Sequence, residues 1–284
     1  PRLMSLNPEA QDLAALLARF GHNGAIAVSA PGVAAAPPPP IVTWDSLASA
    51  AASLIRFYGE TVGSNPLKQA QALLAAPRCG CPDILAANGL CQWAHGPIRV
   101  NFSGYVIPQL GAARSAELSR RALAIISEAC GIRFEIGVPL RDANIVDFVE
   151  RIDGPGRILA KAELPCGASE SDQLKQWTDS QESLSESDRE QVRVHEYLHN
   201  LGLPHSNDPA DIMFPRIRSG RGSHLGPGDL AAVRARYGGP ISVPIPIPTP
   251  IPGPGPEDSG PKPLSRVALL IDGKVFRIQG EWEV

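Results

Sequence analysis

The residues of this chain best suited to chemistry fall in one run, His195-Glu196-Tyr197-Leu198-His199-Asn200-Leu201-Gly202-Leu203-Pro204-His205, spaced H-E-x-x-H-x-x-G-x-x-H. On a helix, positions i and i+4 share a face, so His195 and His199 can offer two imidazoles to one metal ion. Glu196 follows the first of them, where a carboxylate can handle a proton beside the metal. Gly202 can take a positive φ, end the helix and turn the chain back, which brings His205 round as a third nitrogen. Three histidines leave one position on a zinc ion open, as in a catalytic site; a structural zinc has four protein ligands. A chance histidine cluster on an ordinary helix is the competing reading. It leaves the glycine, the carboxylate and the ligand spacings unexplained.

Helices and strands must carry these groups. A helix is expected over residues 5–20, with Asn7 as cap, Pro8 in its first turn and Leu13, Leu16, Leu17 and Phe20 on one side. The run Pro37 to Pro40 is a spacer. Two more helices follow, Asp45 to Tyr58 and Asn65 to Ala76, enough for a small three-helix bundle. From Ile98 the pattern changes to alternation. Strands are expected at 98–102, 132–136, 144–149 and 157–164, with helices at 112–129, 186–201 and 227–237. This is an α/β layer arrangement preceded by a small all-α part. Residues 240–263 carry proline at nearly every second position and read as an extended linker of about 3.1 Å per residue. Beyond it, 267–271 and 274–278 flank Asp272-Gly273, a hairpin signal.

The 284 residues leave room for one or two domains and a sizeable core. A hydrophobic fraction of 43% suits a soluble globular chain, and a net charge of -3 gives no electrostatic case for nucleic acid or an anionic membrane. No apolar run approaches the ~20 residues of a membrane span. The chain opens at Pro1, so a trimmed or longer precursor is expected, and no signal peptide is visible. Five cysteines, Cys79, Cys81, Cys91, Cys130 and Cys166, are an odd number. In a secreted protein that points to a free thiol with a task or to an intermolecular bond.

The run His195 to Pro215, HEYLHNLGLPHSNDPADIMFP, resembles the matrixins, the matrix-metalloprotease-like branch of the metzincins. The resemblance covers most of residues 45–238. It implies a mixed twisted sheet with an active-site helix, and Met213 as the methionine of the Met-turn. Residues 153–156 look like the family's glycine-rich loop, and Ala160, Lys161 and Ala162 like the edge strand along which substrate lies. Pro77-Arg78-Cys79-Gly80-Cys81-Pro82-Asp83 is similar to the cysteine-switch segment of matrixin zymogens. A thiolate binds zinc at about 2.3 Å, so Cys79 would fill the open position and keep the enzyme latent, with Arg78 and Asp83 as the ion pair that holds the loop. A rival reading of the same residues is a separate structural zinc on Cys79, Cys81, Cys91 and His95.

By this resemblance residues 1–76 are a helical prodomain, like a peptidoglycan-binding bundle; 77–92 the switch segment; 93–239 the catalytic domain; 240–263 the linker; and 264–284 a short C-terminal hairpin. The implied activity is that of a secreted, extracellular, monomeric zinc endopeptidase. It hydrolyses polypeptides through a zinc-bound water with Glu196 as general base, and an activating protease releases it. Gln191, Pro215, Arg216 and Ile217 would line the specificity pocket. The polar loop beyond, with Arg218, Arg221 and His224, could accept a polar or acidic side chain at the pocket bottom or be a plain solvated loop. One catalytic zinc is expected. Lys161 stands where the family's structural-zinc histidine would be, and no H-x-D precedes Asp153, so a second zinc is not expected. Asp153, Asp179 and Glu182 are candidates for structural calcium or plain surface acids. Cys81 with Cys91 and Cys130 with Cys166 is one of three possible pairings of the other cysteines. The alternative function is a non-catalytic glycan- or protein-binding protein with a vestigial metalloprotease domain.

Overall fold

A computed structural model describes residues 7–22, 42–83, 92–93, 96–165 and 173–238, together with the backbone of 267–271 and 274–278. The chain divides into two units, Pro1–Ser242 and Val243–Val284. In the second unit Val267–Ile271 pairs antiparallel with Lys274–Ile278, as the hairpin signal predicts. The Asp272-Gly273 turn and the proline-rich linker lie outside the described residues.

The first unit opens with three helices whose starts are set by side-chain caps. In α1 (Pro8–Arg19) the Asn7 carboxamide accepts the Ala10 N–H at 2.9 Å. In α2 (Trp44–Phe57) Thr43 and Ser46 form a reciprocal capping box. In α3 (Pro66–Ala75) Asn65 accepts from Lys68 at 3.1 Å. Leu13, Leu17, Leu47, Leu54, Ile55 and Leu73 close into one core between them.

A short strand, β1 (Arg78–Cys79), leads out of the bundle. It belongs to a six-stranded sheet with β2 (Ile98–Gly104), β3 (Phe134–Ile136), β4 (Ile145–Glu150), β5 (Ile158–Ala162) and β6 (Leu174–Asp179), in the order β1-β5-β6-β4-β2-β3. Only β5 and β6 pair antiparallel. Thus β5, expected at the sheet's edge, has β1 as an outer neighbour. The third strand begins two residues later than its alternation suggests. Ile132 is spent on leaving the preceding helix: it turns into the core, and its carbonyl accepts the Ser127 hydroxyl at 2.7 Å.

Helices α4 (Gly111–Cys130), α5 (Glu186–Asn200) and α6 (Pro227–Tyr237) complete the unit. The Ser185 hydroxyl accepts the Asp188 N–H at 3.1 Å at the start of α5, and Glu186 and Asp188 complement the helix dipole there. The core between sheet, α4 and α5 gathers Val100, Ile145, Leu123, Ile126, Val194 and Leu198. One charged group pins α5 within it. Arg193, fully buried, pairs with Asp147 of β4 and donates to the Ser119 hydroxyl of α4 at 3.0 Å. Its guanidinium lies 3.9 Å from the centre of the Tyr105 ring. Gln176 of β6 donates to the other Asp147 oxygen, and the Tyr197 hydroxyl to the first at 2.7 Å. Arg193→Ala leaves a buried carboxylate uncompensated and should cost about 3–5 kcal/mol in denaturant unfolding. A loss under about 1 kcal/mol, the scale of an exposed pair, would mean that this ion pair does not fix the helix.

Candidate metal centre

Helix α5 brings His195 and His199 onto one face, and its end supplies the turn to His205. Gly202 has φ 87°, and the Gly202 and Leu203 N–H groups close onto the His199 and Leu198 carbonyls at 2.8 and 3.0 Å. This left-handed stop is the one the motif requires. The last turn is held from outside as well. The Trp93 indole donates to the Asn200 carbonyl, and the Tyr237 hydroxyl to that of Leu201, both at 2.8 Å.

The three imidazoles converge, with ring centres 4.7, 5.2 and 4.7 Å apart. His195 Nδ1 sits 2.6 Å from the Ile212 carbonyl and His199 Nδ1 2.8 Å from that of Leu203. These acceptors place the proton on Nδ1 and leave the Nε2 lone pairs facing inward. His195 Nε2 and His205 Nε2 are buried with no hydrogen-bond partner, as is Glu196 Oε2. Burial and the neighbouring His199 hold His195 well below its ordinary pKa, and burial brings His205 down to about 4. Both rings are therefore neutral, the form that binds a metal. Burial pushes Glu196 up to about 8 while no cation is beside it; a divalent ion at the imidazoles would favour the carboxylate form.

Cys79 comes to the same point from the other side of the cleft. Its sulfur is 3.6 Å from His199 Nε2. The four ligand atoms of Cys79, His195, His199 and His205 lie within 4.8 Å of one another. Two ligands held tetrahedrally by one zinc at about 2.3 Å for sulfur and about 2.0 Å for nitrogen sit about 3.5 Å apart. The orphaned inward nitrogens and the soft sulfur thus suit a zinc ion. Burial pushes the Cys79 thiol up; a coordinated metal ion overrides that by taking the thiolate.

The segment carrying Cys79 is locked by backbone on two sides. The Arg78 N–H donates to the Arg157 carbonyl, the Cys79 N–H to Pro215 and the Gly80 N–H to Ala160, each at 2.8 Å. A side chain on Gly80 would meet Ile158 Cγ2 at 2.8 Å, so only glycine fits this close approach. Arg78 and Asp83 form a fully buried ion pair, and the Arg78 guanidinium lies 3.7 Å from the centre of the Phe20 ring. Burial alone would raise the Asp83 carboxyl. The contacts with His205, His22 and Arg78 outweigh it and hold the group well below the usual carboxylate range.

The other expected residues divide. Gln191, Pro215, Arg216 and Ile217 line one pocket with Cys79, His195 and Glu196. Met213 is buried in the same core as Val194 and Leu198. Ala160, Lys161 and Ala162 lie on β5. The polar pocket bottom is a misreading: Leu159, Val192, Ile212 and Phe214 complete the lining. Arg218 and Arg221 turn away onto the Pro209 and Ala210 carbonyls at 2.9 and 3.2 Å. Cys81 and Cys130 are free thiols among the described residues; their suggested partners Cys91 and Cys166, and His95, lie outside the described residues. Asp179 Oδ2 accepts three loop N–H groups, from Ile152, Asp153 and Gly154, and Glu182 accepts from Gly156. Both acids thereby brace the glycine-rich loop.

Several functional groups carry no sequence signal. The Ile212 and Leu203 carbonyls are backbone atoms. Asp229 holds the turn that presents Ile212 by accepting the Ile212 and Met213 N–H groups, the latter at 3.1 Å. His22 reaches Asp83 from the end of α1 at 3.1 Å.

The family model described as Matrixin matches residues 92–238, just over half of the chain. Neutrophil collagenase of Homo sapiens is 30% identical over 200 residues, 64% of this chain and 42% of the relative. Matrix metalloproteinase-16 of Homo sapiens is 28% identical over 233 residues, 70% and 38% respectively. Macrophage metalloelastase of Rattus norvegicus is 26% identical over 206 residues, 66% and 43%. The chain therefore spans about two-fifths of the length of these curated relatives.

The centre as built should take one zinc per chain. Titrating zinc into chelator-treated protein should raise the melting temperature, with stabilisation of about 4 kcal/mol at a thousandfold excess over Kd. His199→Ala should abolish the rise. Uptake of two ions would instead favour a separate cysteine-rich site.

Proposed function

Because the chain belongs to the matrixin family, a family of zinc metalloproteases, we propose that it is an endopeptidase held latent by its own N-terminal part. The convergence of Cys79 and three imidazoles on one point, with Glu196 beside them, carries this reading. His195, His199 and His205 would hold the zinc, with Cys79 as fourth ligand in the latent form. When bound, the zinc supplies Lewis acidity, polarising a carbonyl and acidifying water. Glu196 takes the proton from the attacking water and delivers it to the leaving amine. Its buried, partnerless Oε2 supports that role. Met213 closes the turn beneath the ligands.

Substrate lies antiparallel to β5, along Ala160, Lys161 and Ala162, in the strip that β1 now fills. The pocket flanked by Gln191, Pro215, Arg216 and Ile217 has a volume of about 20 Å³ with the switch in place, near that of a single water. With its apolar lining, it suits a small aliphatic side chain. Residues 1–76 act as the prodomain, 77–92 as the switch, 93–239 as the catalytic domain, 240–263 as a spacer and 264–284 as a terminal hairpin. A second protease severs the prodomain outside the cell, and calcium, where bound, sits at the loop braced by Asp153, Asp179 and Glu182. Among the described residues no helix is long and apolar enough to cross a membrane.

Glu196→Ala should keep its zinc and lose at least ~100-fold in peptide hydrolysis; sustained turnover by that variant would refute the assigned base. Cys79→Ser should cleave peptides without processing. A correctly folded but silent Cys79→Ser chain would count against latency by sulfur.

A further inference from the structure

Two of the three imidazoles are oriented by backbone carbonyls, and the third is not. His205 Nδ1 has no aligned hydrogen bond among the described residues, and the polar atom beside it is Asp83 Oδ1, at 3.1 Å. Asp83 belongs to the segment that carries Cys79. Its other oxygen faces His22 Nε2 at 3.1 Å, and His22 Nδ1 lies 3.1 Å from the Ser53 hydroxyl of α2. The side chains of His22, Arg78, Asp83 and His205 have no exposed surface. A continuous polar line thus runs from the helical bundle to the back of the third ligand.

We propose that Asp83 is the positioning carboxylate of His205, so that the segment grips the centre twice: Cys79 on the open side of the ion and Asp83 behind one of its ligands. The proposal rests on the reading that the three imidazoles share one ion. A metal-binding imidazole commonly donates its other N–H to a carboxylate, which fixes the ring and raises its basicity; loss of such a partner costs about 10–100-fold in metal affinity. Arg78 supports the arrangement by pairing with the same Asp83 carboxylate oxygen. Removing the segment then strips the centre of this support together with the sulfur, and the latent chain holds zinc more tightly than its released form on both counts.

The test is zinc affinity by chelator competition on the full chain, compared across the unsubstituted protein, Asp83→Asn, Cys79→Ser and the double variant. Asp83 acting on His205 predicts a loss of about 10–100-fold from Asp83→Asn, repeated in the Cys79→Ser background, where no sulfur remains to be misplaced. If Asp83 merely holds the loop so that Cys79 can reach, the double variant binds zinc as Cys79→Ser does, and the proposal falls. Asp83→Asn leaves Arg78 as an unmatched buried charge, so Arg78→Met with Asp83→Asn is measured in the same background. The same loss is expected there, and zinc retention at the Cys79→Ser level overturns the proposal. Peptide hydrolysis by Cys79→Ser reports latency separately, so a silent chain would sink the sulfur plug without touching this comparison.

Discussion

A charged guanidinium without solvent needs fixed acceptors against it, and at two places in this structure the acceptor is a buried carboxylate. Arg193 with Asp147 ties the helix that carries His195 and His199 to the middle of the sheet. Arg78 with Asp83 ties the N-terminal segment into the cleft. Removing one partner from such a pair costs far more than the pair contributes, because the remaining charge is stranded. Each pair therefore penalises any arrangement that displaces one partner and strands the other.

Much of the centre was legible because metal binding imposes spacing. His195, His199 and His205 can share an ion only at intervals that a helix and a left-handed stop provide, and Gly202 adopts the needed φ. Cys79 was legible only through the likeness of Pro77–Asp83 to a known segment; the steric task of Gly80 appears only in the structure. What escaped the sequence is what backbone supplies. The Ile212 and Leu203 carbonyls orient two rings, but any residue offers a carbonyl. His22 lies 61 positions before Asp83, and no local pattern marks such a partner. The pocket wall misled for a different reason: Arg218 and Arg221 are close in sequence, yet backbone carbonyls nearby satisfied them first.

The direction of β1 has a bearing on how the cleft is closed. It runs parallel to β5, opposite to the course proposed for a substrate, while its other side bonds to Pro215. The segment thus takes the hydrogen-bonding groups of β5 that the proposed substrate would use, with its chain reversed. Occupying the site in that sense satisfies both walls of the cleft without offering them a scissile bond in the productive orientation.

Phe214 belongs to two bodies at once. Its ring packs into the core of the helical bundle, 5.5 Å from Tyr58, and also lines the pocket beside Glu196. Next to it Arg216 covers the Tyr58 ring at 4.6 Å and donates to the Leu73 carbonyl at 2.8 Å. Severing the bundle therefore leaves an aromatic face and a cation without their cover at the rim of a newly opened groove. In the proposed released form, the Phe214 ring and the Arg216 guanidinium would then meet solvent instead of the bundle.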